Sequence, residues 1–147
     1  MTCCYKFTLL YRQSRDGNTV ARCRELCNDK GPTIAIGKVL DTEEILDGYN
    51  PLSWGCANGH AYTKKSFIFA LDKNMDMSIV SFVENSLQAI YDHPSFFPSF
   101  GNEAHDLYFG GLPQYAPIAL KHAYQVPIRN SSDRFNWVDW EVFSVQT

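Results

Sequence analysis

The sequence predicts a β-rich α+β fold: a two-sheet antiparallel β-sandwich with one or two short helices. Three observations carry this expectation. Short runs with strand patterning, separated by turn residues, recur along most of the chain. Aromatic residues reach 14%, which suits strands better than helices. A helical period is sustained with certainty only once, and no strand–helix–strand alternation follows it, so a doubly wound sheet is not expected.

Each element has its own reason. From Tyr5 to Arg12, Phe7, Leu9 and Tyr11 alternate with Lys6, Thr8, Leu10 and Arg12, as in a strand. Asp16-Gly17 ends it, because glycine adopts a positive φ at little cost. Asn18 or Thr19 then caps a helix ending near Asn28, with Val20, Cys23 and Cys27 on one face and Leu26 beside them. Pro32 forbids its continuation. Thr33–Leu40 is a strand with Ile34 and Ile36 on one face and the small Ala35 and Gly37 on the other, a face that another element can approach closely. Glu44–Tyr49 is its partner across the turn at Asp41-Thr42-Glu43, and Leu52–Tyr62 reads as a loop.

Ser66–Leu71 is apolar on both faces, with Phe67, Phe69 and Leu71 on one and Ile68 and Ala70 on the other. That is the pattern of a central strand covered on both sides. Ser78–Val83 and Leu87–Tyr91 are shorter strands, Pro94–Asn102 is irregular, and Asp106–Phe109 is a strand closed by Gly110-Gly111. Pro113–Pro127 is ambiguous, with Ala116–Tyr124 either a short helix or two strand pieces. Val138–Val145 is a strong terminal strand.

A chain of 147 residues with 45% hydrophobic and 20% charged residues is one domain with a substantial core. A net charge of −3 offers no footprint for nucleic acid and no patch for an anionic membrane. No apolar stretch spans a bilayer, and the first residues lack the apolar run of a signal peptide. Five cysteines cannot all pair within the chain, which points to reduced thiols in the cytoplasm or nucleus. Cys3 and Cys4 read as terminal residues rather than lipidation sites.

No motif declares a chemistry. Cys23 and Cys27 have a spacing that can share a metal, but they lie on the apolar helix face and read as core. Cys56 and His60 are two potential ligands on one loop, too few for a site. No metal or cofactor is expected. No nucleophile elbow or phosphate loop occurs. Glu103 and Asp106 near His105 read as a solvated loop, with an acid–base cluster as the alternative. Phe96-Phe97-Pro98-Ser99-Phe100 reads as a core edge, with a partner or lipid contact as the alternative. Glu141 shares a strand face with Phe143 and Val145. If that face is the core, Glu141 needs a charged partner, and Arg12 or Arg15 is the candidate. Glu141 is then an ion pair closing the sandwich or a poised acid in a cleft.

These residues resemble a known family. Leu9-Leu10-Tyr11-Arg12 with Ser14-Arg15-Asp16-Gly17 is similar to the opening strand and turn of a TLDc domain. The similarity continues through Cys27–Ile34, Glu44–Trp54, Thr63–Phe69, Pro98–Gly101, Asp106–Tyr108 and Glu141-Val142-Phe143, in order and over nearly the whole chain. It is most like the divergent TLDc domains of arbuscular mycorrhizal fungi, which often follow a BTB domain. The resemblance implies a single TLDc-like domain over 1–147, without the helix that usually precedes the family's first strand. It implies a β-sandwich with no generally accepted active site. Relatives include oxidation-resistance proteins and regulators of the vacuolar proton ATPase. The family's most persistent positions correspond to Arg15, Asp16, Gly17, Gly48, Ser66, Phe67 and Glu141.

The expectation is therefore a protein-interaction module linked to stress resistance, with proton ATPase subunits as partners. The loops Leu52–Tyr62 and Pro94–Glu103 are the expected binding surface. The alternatives are a weak hydrolytic or redox enzyme using Glu141, Ser66 or a cysteine, and a sugar- or peptide-binding sandwich using exposed Trp54 and Tyr62.

Overall fold

The computed structural model describes residues 4–74, 76–111 and 116–147; Cys3 and the start of the ambiguous Pro113–Pro127 stretch lie outside them. Among the described residues, ten strands form two antiparallel sheets. The larger contains β1 (Lys6–Arg12), β2 (Thr33–Val39), β3 (Glu44–Asn50), β5 (Phe67–Asp72), β6 (Met77–Phe82) and β10 (Trp137–Gln146), in the order β1-β10-β2-β3-β5-β6. The smaller contains β4 (Gly59–Ala61), β7 (Ile90–Asp92), β8 (Ser99–Phe100) and β9 (Leu107–Tyr108), in that order. Two helices, α1 (Gln13–Asp16) and α2 (Val20–Cys27), link β1 to β2. Among the described residues, no helix is long and apolar enough to cross a membrane.

The sandwich is as expected, and several details correct the sequence reading. Thr19 caps α2, accepting from the Arg22 amide, and Cys23 and Cys27 are buried as the helical period required. The loop Leu52–Tyr62 contains β4, and Leu87–Tyr91 divides into a one-turn 3-10 helix (Ser86–Gln88) and the start of β7. The described part of Ala116–Tyr124 is neither helix nor named strand; it forms isolated bridges from Ile118 to Tyr108 and from Tyr124 to Val83.

The core lies between the sheets. The inner face of the large sheet carries Ala35, Val39, Leu46, Ile68, Ala70, Trp140 and Val142, all buried. Its small residues admit large rings, from β10 of the same sheet at Gly37 and from the other sheet at Gly48. A Cβ on Gly37 would stand 2.6–2.8 Å from Trp137 and Trp140, and one on Gly48 would overlap the Phe100 ring. Phe100 is itself fully buried and cannot swing aside. Gly48→Ala should therefore cost about 1–3 kcal/mol through overpacking. Thermal unfolding of Gly48→Ala beside Gly48→Ala/Phe100→Leu checks this, since trimming the ring should recover part of the loss.

A bulge decides which residues of β1 reach this core. Phe7 pairs with Val145 and Leu9 with Phe143, but Tyr11 pairs with Val142 and Arg12 with Glu141, so Leu10 is the extra residue. Phe7 and Leu9 consequently sit on the outer face, while Tyr11 turns inward and is fully buried against Trp140. The inner residues of β10 are Trp140, Val142 and Ser144. The face shared by Glu141, Phe143 and Val145 is thus the outer one, not the core face on which the burial of Glu141 was conditional.

Candidate functional site

The family-like positions fall at three places. At the corner where β1 meets β10, Arg12 Nε and Nη2 donate to Glu141 Oε2 at 2.9 and 2.7 Å. Arg12, not Arg15, is the partner of Glu141. Arg15 donates from Nε and Nη2 to Asp16 at 2.8–3.1 Å, and the Arg12 amide donates to Asp16 Oδ2 at 2.9 Å. The Arg15 hydrogen bonds, then that amide, hold the Asp16 carboxyl below the usual range. Gly17, at φ 93°, offers its carbonyl to the Tyr11 hydroxyl at 2.7 Å. Ser14 donates from its amide and hydroxyl to Asp139 at 3.1 and 2.6 Å. This corner is a polar clasp around the β1–α1 turn, with its charges paired.

Ser66 lies inside. It is fully buried, and its hydroxyl donates to the Tyr49 carbonyl at 2.7 Å. Tyr124 Oη donates to the Ala89 carbonyl at 2.7 Å and stands 2.6 Å from Ser66 Oγ. Two hydroxyl protons fill two of these three short contacts at a time, so one hydroxyl donates to the other or both donate to the Tyr49 and Ala89 carbonyls. Burial pushes the Tyr124 hydroxyl far above its ordinary value. Gly48 is the seat of Phe100, as above, and Phe67 stacks on Tyr49 on the outer face with ring centroids 5.2 Å apart.

Two polar centres were not legible in the sequence. The first joins the loops expected to bind partners. Asp92, 2% exposed, accepts from Arg24 Nη1 at 2.6 Å and from the amides of Gly55 and Ala57 at 2.9 and 3.0 Å. Arg24 also donates to the carbonyls of His93 and Phe96 and to Asn28. A cleft of about 290 Å³ opens beside this junction, lined by Asn28, Asn58 and Pro94 among others. The second centre is Ser99 and His105, with Oγ 2.8 Å from Nδ1 and both residues buried. Burial lowers the His105 pKa to about 4, and the ring stacks on Tyr108 at 4.0 Å. Among the described residues, no hydrogen bond joins a carboxylate to this pair. Asp106, expected in a solvated loop, is fully buried and accepts from the amides of His122, Ala123 and Tyr124 at 2.7–3.1 Å.

Other candidates change character. Trp54 is 2% exposed and donates to Thr33 Oγ1 at 2.9 Å, which removes it from any open sugar-binding platform. Tyr62 is exposed. Phe97 and Phe100 are core residues, so the aromatic run is a core edge. The Cys23 and Cys27 sulfurs are 4.0 Å apart and buried; Cys56 is exposed, with its thiol 3.6 Å from Asp29. Among the described residues, no three His, Cys, Asp or Glu side chains are placed to share a metal.

A further open feature is the outer face of the six-stranded sheet. Pairing aligns Phe7 and Leu9 of β1, Val145 and Phe143 of β10, Ile34 and Ile36 of β2, Tyr49, Asp47 and Ile45 of β3, Phe67 and Phe69 of β5, and Phe82 and Val80 of β6. Phe7, Val80 and Phe82 are 55%, 46% and 52% exposed, and the interior of the face is half-buried. The second sheet and α2 lie on the other side. Phe67 and Phe69, expected to be covered, are only partly covered by the described chain. An antiparallel sheet with one face in water usually shows polar residues there. This one shows aromatic and branched aliphatic residues.

Asp47 stands near the middle of that face. Its Oδ1 is shut off from solvent and accepts no hydrogen bond among the described residues. Ile36 and Phe69 lie directly across from it on the neighbouring strands, and Ile45 and Tyr49 flank it along β3. This collar raises its pKa to about 7 by burial alone.

In comparison with known proteins, the model of the TLDc domain family matches residues 2–146. No curated protein matches the chain.

Proposed function

Because the chain belongs to the TLDc domain family, we propose that it works as a protein-interaction module of the TLDc type, acting in oxidative-stress resistance and in regulation of the vacuolar proton ATPase. The observation that carries the interaction reading is the outer sheet face: a broad, apolar, exposed surface on a sandwich whose other face already forms a full core. Such surfaces mark sites of association. The family supplies the two processes. The loops 52–62 and 94–103 contribute less to this reading than expected from their sequence, because residues 97–101 are buried between the sheets and the Asp92 junction ties down residues 55–57.

Affinity capture with the folded chain and with a Val80→Glu/Phe82→Glu variant, from cells with and without oxidant, tests the proposal. Both substitutions are at exposed positions and should leave the fold intact. The expected result is a protein partner, proton ATPase subunits first among those to be probed, retained by the natural chain and lost by the variant. Identical capture by both chains would overturn the assignment of this face.

A further inference from the structure

We propose that the outer face of the six-stranded sheet seats a partner α-helix whose apolar stripe carries a single Lys or Arg, and that this cation pairs with Asp47. The inference rests on the interaction reading and gives the partner its chemistry. It starts from a mismatch. β5 is patterned for cover on both sides, with Phe67 and Phe69 opposite Ile68 and Ala70, yet only the inner side is covered. The same holds across the sheet, where Ile34, Ile36, Tyr49 and Phe143 stand outward without packing into the core. A sheet apolar on both faces belongs to a three-layer arrangement.

Asp47 says what the third layer must contain. The other charges on the face are already engaged: Glu141, in the same cross-strand row as Asp47 beyond Ile36, is neutralised by Arg12; Lys38, diagonal to Asp47, faces Glu43 at 3.9 Å; and Asp139 is held by Ser14. None of these reaches Asp47, whose surroundings are Ile36, Ile45, Tyr49 and Phe69. A purely apolar layer would close over a carboxyl with no partner, which is costly. That argues against a lipid surface. A second copy placed face to face about a central two-fold axis brings Asp47 near its own mate, like charge to like charge. A cation satisfies the carboxyl and turns the penalty into a charge-assisted hydrogen bond.

The geometry favours a helix as the carrier. Six strands spaced by about 4.8 Å make the face about 24 Å wide, and helices about 10 Å across fit side by side or singly on it. Two packed sheets stand about 10 Å apart, too far for a backbone donor on a third sheet to reach Asp47. A Lys or Arg side chain in a helix stripe lays its methylenes along Phe69 and Ile36 and delivers its head to the carboxyl.

The test is selection from a displayed library of amphipathic helices of about 18 residues, randomised along the apolar stripe and panned against the whole chain. Selected helices should carry one Lys or Arg within the stripe. Its replacement by Leu should weaken binding by about tenfold or more. Against Asp47→Asn the difference between the two peptides should vanish. The proposal falls if selected helices lack a basic stripe residue, if they bind Val80→Glu/Phe82→Glu equally well, or if none is selected. Light scattering that shows a dimer abolished by Val80→Glu/Phe82→Glu would assign the face to a second copy and also overturn it. Where cellular capture depends on the face but selected helices carry no cation, the interaction reading stands and this partner chemistry alone fails.

Discussion

Asp92→Ala should destabilise the protein by about 3–5 kcal/mol and lower its melting temperature by on the order of 10 °C. The carboxyl holds three donors at once: the Arg24 guanidinium and the Gly55 and Ala57 amides. Removing it leaves a guanidinium that is 13% exposed without its counter-charge and two amides without acceptors. That is the case in which deleting one partner of a buried pair costs most. Asp92→Asn should fall between, since the amide keeps one acceptor oxygen and loses the charge. Arg24→Ala/Asp92→Ala should cost less than the two single losses added together, because the second deletion removes the charge stranded by the first. Hydrogen exchange should also rise first at residues 55–57, the segment that Asp92 ties to β7. A loss below about 1 kcal/mol for Asp92→Ala would mean that the junction is solvated and that the loops are independent of it.

Asp47→Asn should do the opposite and stabilise the isolated protein, by an amount that depends on pH. The folded carboxyl titrates near pH 7, against 3.8 for an unburied one. The folded state therefore binds more protons than the unfolded state between about pH 4 and pH 7, and stability falls as pH rises through that window. Above it the ionised carboxyl sits desolvated in the fold. Asn carries no such penalty, so Asp47→Asn should gain about 4 kcal/mol at pH 8 and close to nothing at pH 4. Denaturant unfolding at the two pH values measures it. Equal stability changes at both would show that the carboxyl is hydrated and the collar of Ile36, Ile45, Tyr49 and Phe69 is open. A residue that weakens the free domain at neutral pH is one whose cost a bound cation removes.

Much of the large sheet was legible because its strands are long enough to alternate. Thr33–Val39 shows Ile34 and Ile36 against Ala35 and Gly37, and that division is the division between outer and inner face. What alternation cannot say is which of two apolar faces goes inward. In β10, Trp140 and Val142 alternate with Phe143 and Val145, and only packing against Tyr11 and Phe97 selects the first pair. The bulge at Leu10 compounds this, since one extra residue reverses the faces of β1 between Leu9 and Tyr11. The small sheet was harder. Strands of two or three residues, such as Ser99–Phe100 and Leu107–Tyr108, are too short to show a period and are held by cross-chain hydrogen bonds.

The polar centres divide in the same way. Glu141 with an arginine of the first strand was legible because a charge in an apolar strand asks for a partner, and Arg12 answered from the paired register. Arg24 and Asp92 are 68 residues apart, one on a helix and one at a strand end, with nothing local to connect them. Asp47 was visible as a charge between Leu46 and Gly48. Its meaning appeared only when the ladder set Ile36 and Phe69 on either side of it.

The central claim is that this protein binds through the outer face of its large sheet. Amide and methyl chemical-shift mapping with a selected Lys-bearing helix tests it most directly. The predicted result is perturbation concentrated at Ile36, Asp47, Tyr49, Phe69 and Val80, with residues 55–57 and 97–101 unmoved. Perturbation confined to the loops 52–62 and 94–103, with the sheet face silent, would contradict it.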